Sequence, residues 1–281
     1  MSITRRTFLE TTAAAAASLS VASAQNKKIP IGLELYSVRS ALAADPTGTV
    51  KKVAAMGYEV VEFFAPYYTW TVDQAKDMKK LLDDLGIKCH STHNNLPSFQ
   101  PANLQKTIDL NHAIGGTFVV LASSGRSTTQ EYWKKLALET LAPALETLRA
   151  AGLRGGYHNH QYEFVPTDGG GPLPMQILAA NTPKDFMLQF DVGTCVEMGS
   201  DPVAWVKANP GRINSLHLKD WNKEKGYRVL FGEGAVPWKP ILEAAETTGG
   251  AEYLLIEQEG SDYSEFETAQ RCLDAYKKLM G

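Results

Sequence analysis

The stretch Asp185-Phe186-Met187-Leu188-Gln189-Phe190-Asp191 is a short apolar run that ends on a carboxylate, and a segment of helical period opening near Pro202 comes after it. The same unit recurs along the chain. Strand candidates stand before it at Ile31 to Ser37, Tyr58 to Phe64, Ile87 to His93, Thr117 to Ala122 and Leu153 to His160, and after it at Ile213 to Lys219 and Glu252 to Gln258. Helical candidates follow each one, beginning near Asp45, Thr71, Pro101, Thr129, Pro172, Pro202, Pro237 and Tyr263. Several close on glycine just before the next strand, as at Met56-Gly57, Leu85-Gly86, Ile114-Gly115-Gly116 and Ala151-Gly152, where a left-handed helix end costs least. Strand alternating with helix is the pattern of a parallel α/β fold. Eight rounds in about 250 residues fit a single-domain (β/α)8 TIM barrel, whereas an open doubly wound sheet stops at about five to seven strands.

The 281 residues are 44% hydrophobic and 21% charged, enough apolar material for one large core. The N-terminus reads as a targeting segment. Thr4-Arg5-Arg6-Thr7-Phe8-Leu9 has the twin-arginine pattern, an Ala-rich stretch runs from Ala13 to Val21, and Ala22-Ser23-Ala24 is an A-x-A cleavage signal. Residues 1–24 are therefore expected to be a twin-arginine signal peptide cleaved after Ala24, with 25–281 a periplasmic or otherwise exported barrel domain. Removing Arg5, Arg6 and Glu10 takes the formal charge from 28 − 31 = −3 to 26 − 30 = −4. A mildly acidic chain lacks the basic excess of a surface that tracks phosphates, so no nucleic-acid partner is expected. No later stretch has the roughly 20 apolar residues of a membrane span. Cys89, Cys195 and Cys272 are widely spaced and read as buried small hydrophobes rather than a disulfide framework. The sequence is silent on oligomeric state.

A barrel of this kind builds its site from the C-terminal ends of its strands, so polar residues ending apolar strands are the ones to collect. The first strand offers Glu34, the second Glu62, the third His90 and His93, and the fifth His158 and His160 with Glu163 just beyond. Asp191 ends the sixth, His217 and Lys219 the seventh, Glu257 and Glu259 the eighth. Carboxylates and imidazoles on four successive strands are the donor set of a mixed N/O site for a divalent metal. Side chains two apart share a strand face, so Asp191 goes with Gln189 and Met187, His217 with Ser215 and Lys219, and Glu257 with Leu255 and Tyr253. On the fifth strand His158 and His160 point together, and spacing leaves open which of His158, His160 and Glu163 is the ligand. Glu34 and Glu62 would be charges inside the barrel, costly unless a cation or polar substrate lies above them. Tyr67, Tyr68, Trp70, Trp221 and Trp238 fall in or near the βα loops, forming either an apolar wall for a sugar ring or ordinary loop packing. Asp168-Gly169-Gly170-Gly171 reads as a mobile loop rather than a phosphate cradle.

The chain resembles the sugar phosphate isomerase/epimerase-like, or xylose isomerase-like, TIM barrels, a group that includes tagatose epimerases, inosose and dehydroshikimate dehydratases and endonuclease IV. The resemblance rests on Leu33-Glu34-Leu35-Tyr36-Ser37-Val38-Arg39, Gly57-Tyr58-Glu59-Val60-Val61-Glu62, Tyr157-His158-Asn159-His160 with Glu163-Phe164, Asp191-Val192-Gly193, His217-Leu218-Lys219-Asp220, Gly232-Glu233-Gly234 and Glu257-Gln258-Glu259. It implies a divalent ion, Mn2+ first with Zn2+, Mg2+, Co2+ or Fe2+ as alternatives, held by Asp191, His217 and Glu257 and by a fifth-strand group, for which His158, His160 or Glu163 must stand in, with His160 and Glu163 put forward as ligands. Epimerase relatives place a His three residues after the metal-binding Asp, where this chain has Thr194.

The implied chemistry is removal of a proton beside a metal-polarised ketone to give an enediolate. Glu163, His93 and Glu257 are the candidate bases, and Lys219 would hold an oxyanion. Glu34, Glu62, His158, Trp221 and Glu259 are expected to bind the small-molecule sugar or keto-glycoside. The product would come from isomerisation, epimerisation, or β-elimination from a 3-keto-glycoside. Two other classes are an endonuclease IV-like DNA repair enzyme, disfavoured by charge, and a non-catalytic periplasmic sugar-binding barrel, which would keep its ligand affinity on mutation of His217.

Overall fold

The computed structural model describes residues 28–281, so the expected leader lies outside the described residues. The strands are β1 (Ile31–Glu34), β2 (Val60–Phe63), β3 (Lys88–Asn95), β4 (Phe118–Ser123), β5 (Arg154–His158), β6 (Met187–Asp191), β7 (Ser215–Leu218) and β8 (Tyr253–Ile256). All pair in parallel with their sequence neighbours, and β8 pairs with β1, which closes an eight-stranded barrel.

Helices fill the intervals. They are α1 (Arg39–Ala44), α2 (Pro46–Met56), α3 (Val72–Asp84), α4 (Pro101–Ile114), α5 (Gln130–Lys135), α6 (Ala142–Ala150), α7 (Pro174–Asn181), α8 (Val192–Glu197), α9 (Pro202–Ala208), α10 (Trp238–Ala244) and α11 (Glu265–Met280). Their starts carry the anticipated chemistry. Asp45 accepts from Gly48 N, Thr71 and Gln74 form a reciprocal capping box, Ser264 accepts from Glu267 N, and Pro46, Pro101 and Pro202 occupy first turns. Gly57 and Gly115 end α2 and α4 at φ +97° and +84°, a region other residues enter only with strain. The short α1 and α8 had no signal in the sequence pattern, because each is a single turn or two folded back over a strand end.

Two apolar layers result. Val60, Phe118, Val120, Met187, Tyr253 and Leu255 fill the barrel interior, and a much larger cluster joins the outer strand faces to the helices. The interior plug occupies the lower barrel and leaves the upper part to polar residues. In β3 the pairing moves from Val61↔Cys89 to Phe63↔Thr92, a bulge that adds one residue. No helix among the described residues is long and apolar enough to cross a membrane.

Candidate active site

Seven of the eight strands deliver a polar side chain to one buried place at the C-terminal mouth. Glu34 closes β1, Glu62 lies in β2, His93 in β3, His158 closes β5, Asp191 closes β6, His217 lies in β7 with Lys219 just beyond, and Glu257 follows β8. All eight are buried. The imidazoles of His93, His158 and His217 touch, with centroids 4.6 Å (His93–His158), 4.4 Å (His158–His217) and 5.1 Å (His93–His217) apart. Donor atoms of these three lie within 4.8 Å of one another, and His158, Asp191 and Glu257 form a second such group that shares His158.

Hydrogen bonds run through the cluster. His217 Nδ1 lies 2.6 Å from Glu257 Oε2 and its Nε2 lies 2.9 Å from Glu62 Oε2. His93 Nε2 is 2.9 Å from that same Glu62 oxygen and 2.7 Å from Gln189 Oε1. The Lys219 ammonium stands 3.4 Å from Glu257 and 3.5 Å from Asp191, donates to Glu259 at the rim, and lies 4.8 Å from the centre of the Tyr227 ring. Three buried atoms of the site have no hydrogen-bond partner: Asp191 Oδ2, Glu34 Oε1 and His158 Nδ1. The approach of Lys219 to Asp191 is thus an ion pair without a hydrogen bond.

Charge in this closed space is apportioned unevenly. Burial works against ionisation of Glu62, yet His93 and His217 hold its carboxyl well below the usual range. Burial likewise opposes Glu257, and Lys219 and His217 hold it low. His217 is raised to about 10 against its own burial by Glu257 and Glu62. Lys219 stays high against burial because Glu257, Asp191 and Glu259 surround it. Those two cations do not match all the carboxyls around them. Two of the carboxyls rise: burial and then Glu257 lift Glu34 well above its ordinary value, and burial lifts Asp191 to about 6 despite Lys219. His158 is driven well below its ordinary value by burial and by the neighbouring imidazoles, which leaves a neutral ring with a free nitrogen.

Local structure aims these groups. Asp191 caps α8 by accepting from Thr194 N at 3.1 Å with Oδ1, which leaves Oδ2 toward the mouth. Asn159 accepts from Asp191 N at 3.0 Å and donates to Thr194 Oγ1 at 2.8 Å, tying β5 to β6. A Cβ on Gly193 would lie 2.5 Å from the Lys219 carbonyl oxygen, so glycine there lets the ends of β6 and β7 approach.

The fifth-strand residue that joins the cluster is His158, not His160 or Glu163. The Glu163 carboxylate accepts from the Tyr157 hydroxyl and, at 2.7 Å, from His160 N, and Tyr157 packs against Trp133 in the outer layer. Both its oxygens are thus engaged on the outer side of β5, and it belongs to neither of the groups whose donor atoms come together. His160 is half-buried at the rim, edge-on to His158 and stacked on Tyr162. Glu62 lies beneath the cluster with every contact internal, so it does not reach a substrate. Glu34 is buried in the cluster, Glu259 lies at the rim on Lys219, and Trp221 is half-buried beside Asp220.

Three of the loop aromatics are packing. Tyr67 is buried and bonded to Thr92 and Asn111, Trp70 lies edge-on to Phe63, and buried Trp238 donates to Asp220. His90 lies at the opposite end of the barrel beside Tyr253. Around Asp168, the one non-glycine residue at positive φ among the described residues, the chain forms a short 3-10 turn. Strand alternation puts Gln189 on the face of Asp191, and the same rule puts Ser91 on the face of His93; both reach Glu62, whereas the role of Asn159 has no signal in spacing.

Residues 50–279 match the family model described as xylose isomerase-like TIM barrel. An inosose dehydratase of Lacticaseibacillus casei is 26% identical over 205 residues, which cover 61% of this chain and 66% of that protein, just under two thirds of its length. A solved sugar phosphate isomerase/epimerase from Parabacteroides distasonis is 26% identical, with a TM-score of 0.73 over 92% of this chain and 96% of that one. An IolI protein solved with a binding zinc atom is 15% identical and shares the fold, with a TM-score of 0.68 over 89% of this chain and 98% of that one.

Proposed function

Because the chain belongs to the xylose isomerase-like TIM barrel family, we propose that it is a divalent-metal-dependent enzyme that removes the proton beside the carbonyl of a keto-sugar or keto-glycoside and expels a β-substituent. The carrying observation is the meeting of donor atoms of His158, Asp191 and Glu257, with His217 Nδ1 2.6 Å from Glu257 and with Asp191 Oδ2 and His158 Nδ1 buried and unpartnered. The residues fit an ion. The site's two cations, His217 and Lys219, face five carboxyls, Glu34, Glu62, Asp191, Glu257 and Glu259, so Glu34 and Asp191 stay raised even with Lys219 beside Asp191, and a divalent ion would let both ionise. Mixed carboxylate and imidazole donors suit Mn2+, Zn2+ or Fe2+. Zinc in the IolI protein is consistent with this.

When bound, the ion supplies Lewis acidity to a carbonyl and its neighbouring hydroxyl, which acidifies the α C–H. Lys219, held charged by three carboxylates, stabilises negative charge developing on the substrate oxygen. The group at the rim free to accept the proton is His160, kept neutral by burial with its pKa near 4, since Glu259 is paired with Lys219. The electron pair left by the proton forms the new C=C bond as the β C–O bond breaks, and the leaving oxygen takes up a proton. Elimination is favoured over epimerisation because epimerisation needs a second acid/base group on the opposite face. At Thr194 the hydroxyl is already committed to Asn159 and the Asp191 carbonyl. The L. casei inosose dehydratase points the same way.

The test is to measure the metal content of the purified protein and follow keto-sugars and 3-keto-glycosides in deuterium oxide. Release of water or an aglycone is expected. Deuterium incorporation with carbon–oxygen bonds intact would replace elimination by isomerisation or epimerisation, and metal-loaded protein with neither outcome would end the proposal.

A further inference from the structure

His217 has two ring nitrogens, and a carboxylate engages each. The two carboxylates differ. Glu257 shares its donor group with His158 and Asp191 and opens toward the mouth. Glu62 lies underneath, fully buried, and is anchored by the barrel interior: Ser91 Oγ and Gln189 Nε2, the latter at 2.8 Å, donate to Oε1, while His93 and His217 both reach Oε2 at 2.9 Å. A carboxylate held from four sides stays where it is, because each released donor would be left buried and unpaired. His93 adds a second constraint. Its ring stacks on His217 at 5.1 Å and 8°, so the turnover that would exchange the two nitrogens meets a neighbouring plane.

A ligating imidazole binds through one nitrogen, and the hydrogen bond at the other decides which. We infer that Glu62 is a positioning residue that holds the Nε2–H of His217, so that the ring offers Nδ1 to a divalent ion shared with His158, Asp191 and Glu257. Ion binding then displaces only the Glu257 contact at Nδ1, and Glu257 is itself one of the ligands. Gln189 and Ser91 do for Glu62 what Glu62 does for His217. This inference rests on the metal reading above.

The test uses the full chain with 15N-labelled histidine, loaded with 113Cd2+ and observed by long-range 1H–15N correlation, alongside calorimetric titration with Zn2+. Expected are 113Cd coupling at Nδ1 of His217 with Nε2 protonated, Zn2+ affinity about 10- to 100-fold weaker in Glu62→Leu, and partial recovery in Glu62→Gln, which keeps an acceptor. Coupling at Nε2, or unchanged Zn2+ affinity in a folded Glu62→Leu, overturns the inference and leaves the metal reading standing. Failure of the parent protein to bind either ion removes both. Should Glu62→Leu not fold, the spectrum of the parent protein still decides.

Discussion

Glu62 and Glu163 are both fully buried glutamates, yet their surroundings give them opposite charge states. Glu62 is held ionised by two imidazoles, whereas burial raises Glu163 to about 7 against the help of Tyr157 and the His160 amide. The sign follows from linkage. A carboxyl that titrates near 7 when folded and near 4.5 when unfolded stabilises the fold fully below about pH 4.5, and that contribution is lost as pH rises through 7. Unfolding in urea should therefore lose up to about 3 kcal/mol between pH 4.5 and 8 from this group, and Glu163→Gln should flatten that slope. Because both Glu163 oxygens are engaged on the outer side of β5, the same variant should bind Zn2+ within about twofold of the parent by calorimetry; a large loss would return Glu163 to the site. Asp191→Asn gives the contrast: Zn2+ binding should fall at least about 100-fold while the fold survives, since Asn still caps α8.

Between strands and helices, the segment from β7 to α10 depends on one side chain. Asp220 accepts from the backbone of Trp221 (2.8 Å), Gly232 (2.8 Å), Gly234 (3.2 Å) and Val236 (3.3 Å) and from the Trp238 indole (2.9 Å). Glycine at 234 is required by space, because a Cβ there would sit 2.0 Å from Asp220 Oδ1. Asp220→Ala leaves five donors unmatched and should destabilise the protein by about 3–5 kcal/mol. Hydrogen exchange should quicken in residues 221–237 and remain slow in β1 to β8; uniform acceleration would mean that the hub supports the barrel itself. The paired motifs His217-Leu218-Lys219-Asp220 and Gly232-Glu233-Gly234 are visible in the sequence, but this relation between them is not, since it joins atoms 12 to 18 positions apart. Strands and helix starts were legible because they follow local rules: an apolar period, a capping oxygen, a terminal glycine. Asp191, His217 and Glu257 were legible as strand-end charges. The choice of His158 over Glu163 was not, because it turns on how a side chain in the short 3-10 turn after β5 is directed, and periodicity stops where the strand does.

For the molecule as a whole, an ion coupled to four strands should act as a cross-link of the native state. At a free concentration of about 100 times Kd it adds about 2.7 kcal/mol, which for a domain of this size corresponds to a rise in Tm of roughly 5–10 °C. Calorimetric scans with and without a chelator check this, and identical curves for a protein shown to contain metal would mean that the ion lies outside the barrel mouth. The pairing of β1 with β8 carries a consequence for biosynthesis. Glu34 and Glu257 come from opposite ends of the described chain and meet only when the last strand seals the ring. A nascent polypeptide halted on the ribosome short of β8 lacks both the final stave and one oxygen donor, so if the barrel holds the proposed ion, capture has to wait until that strand has been made.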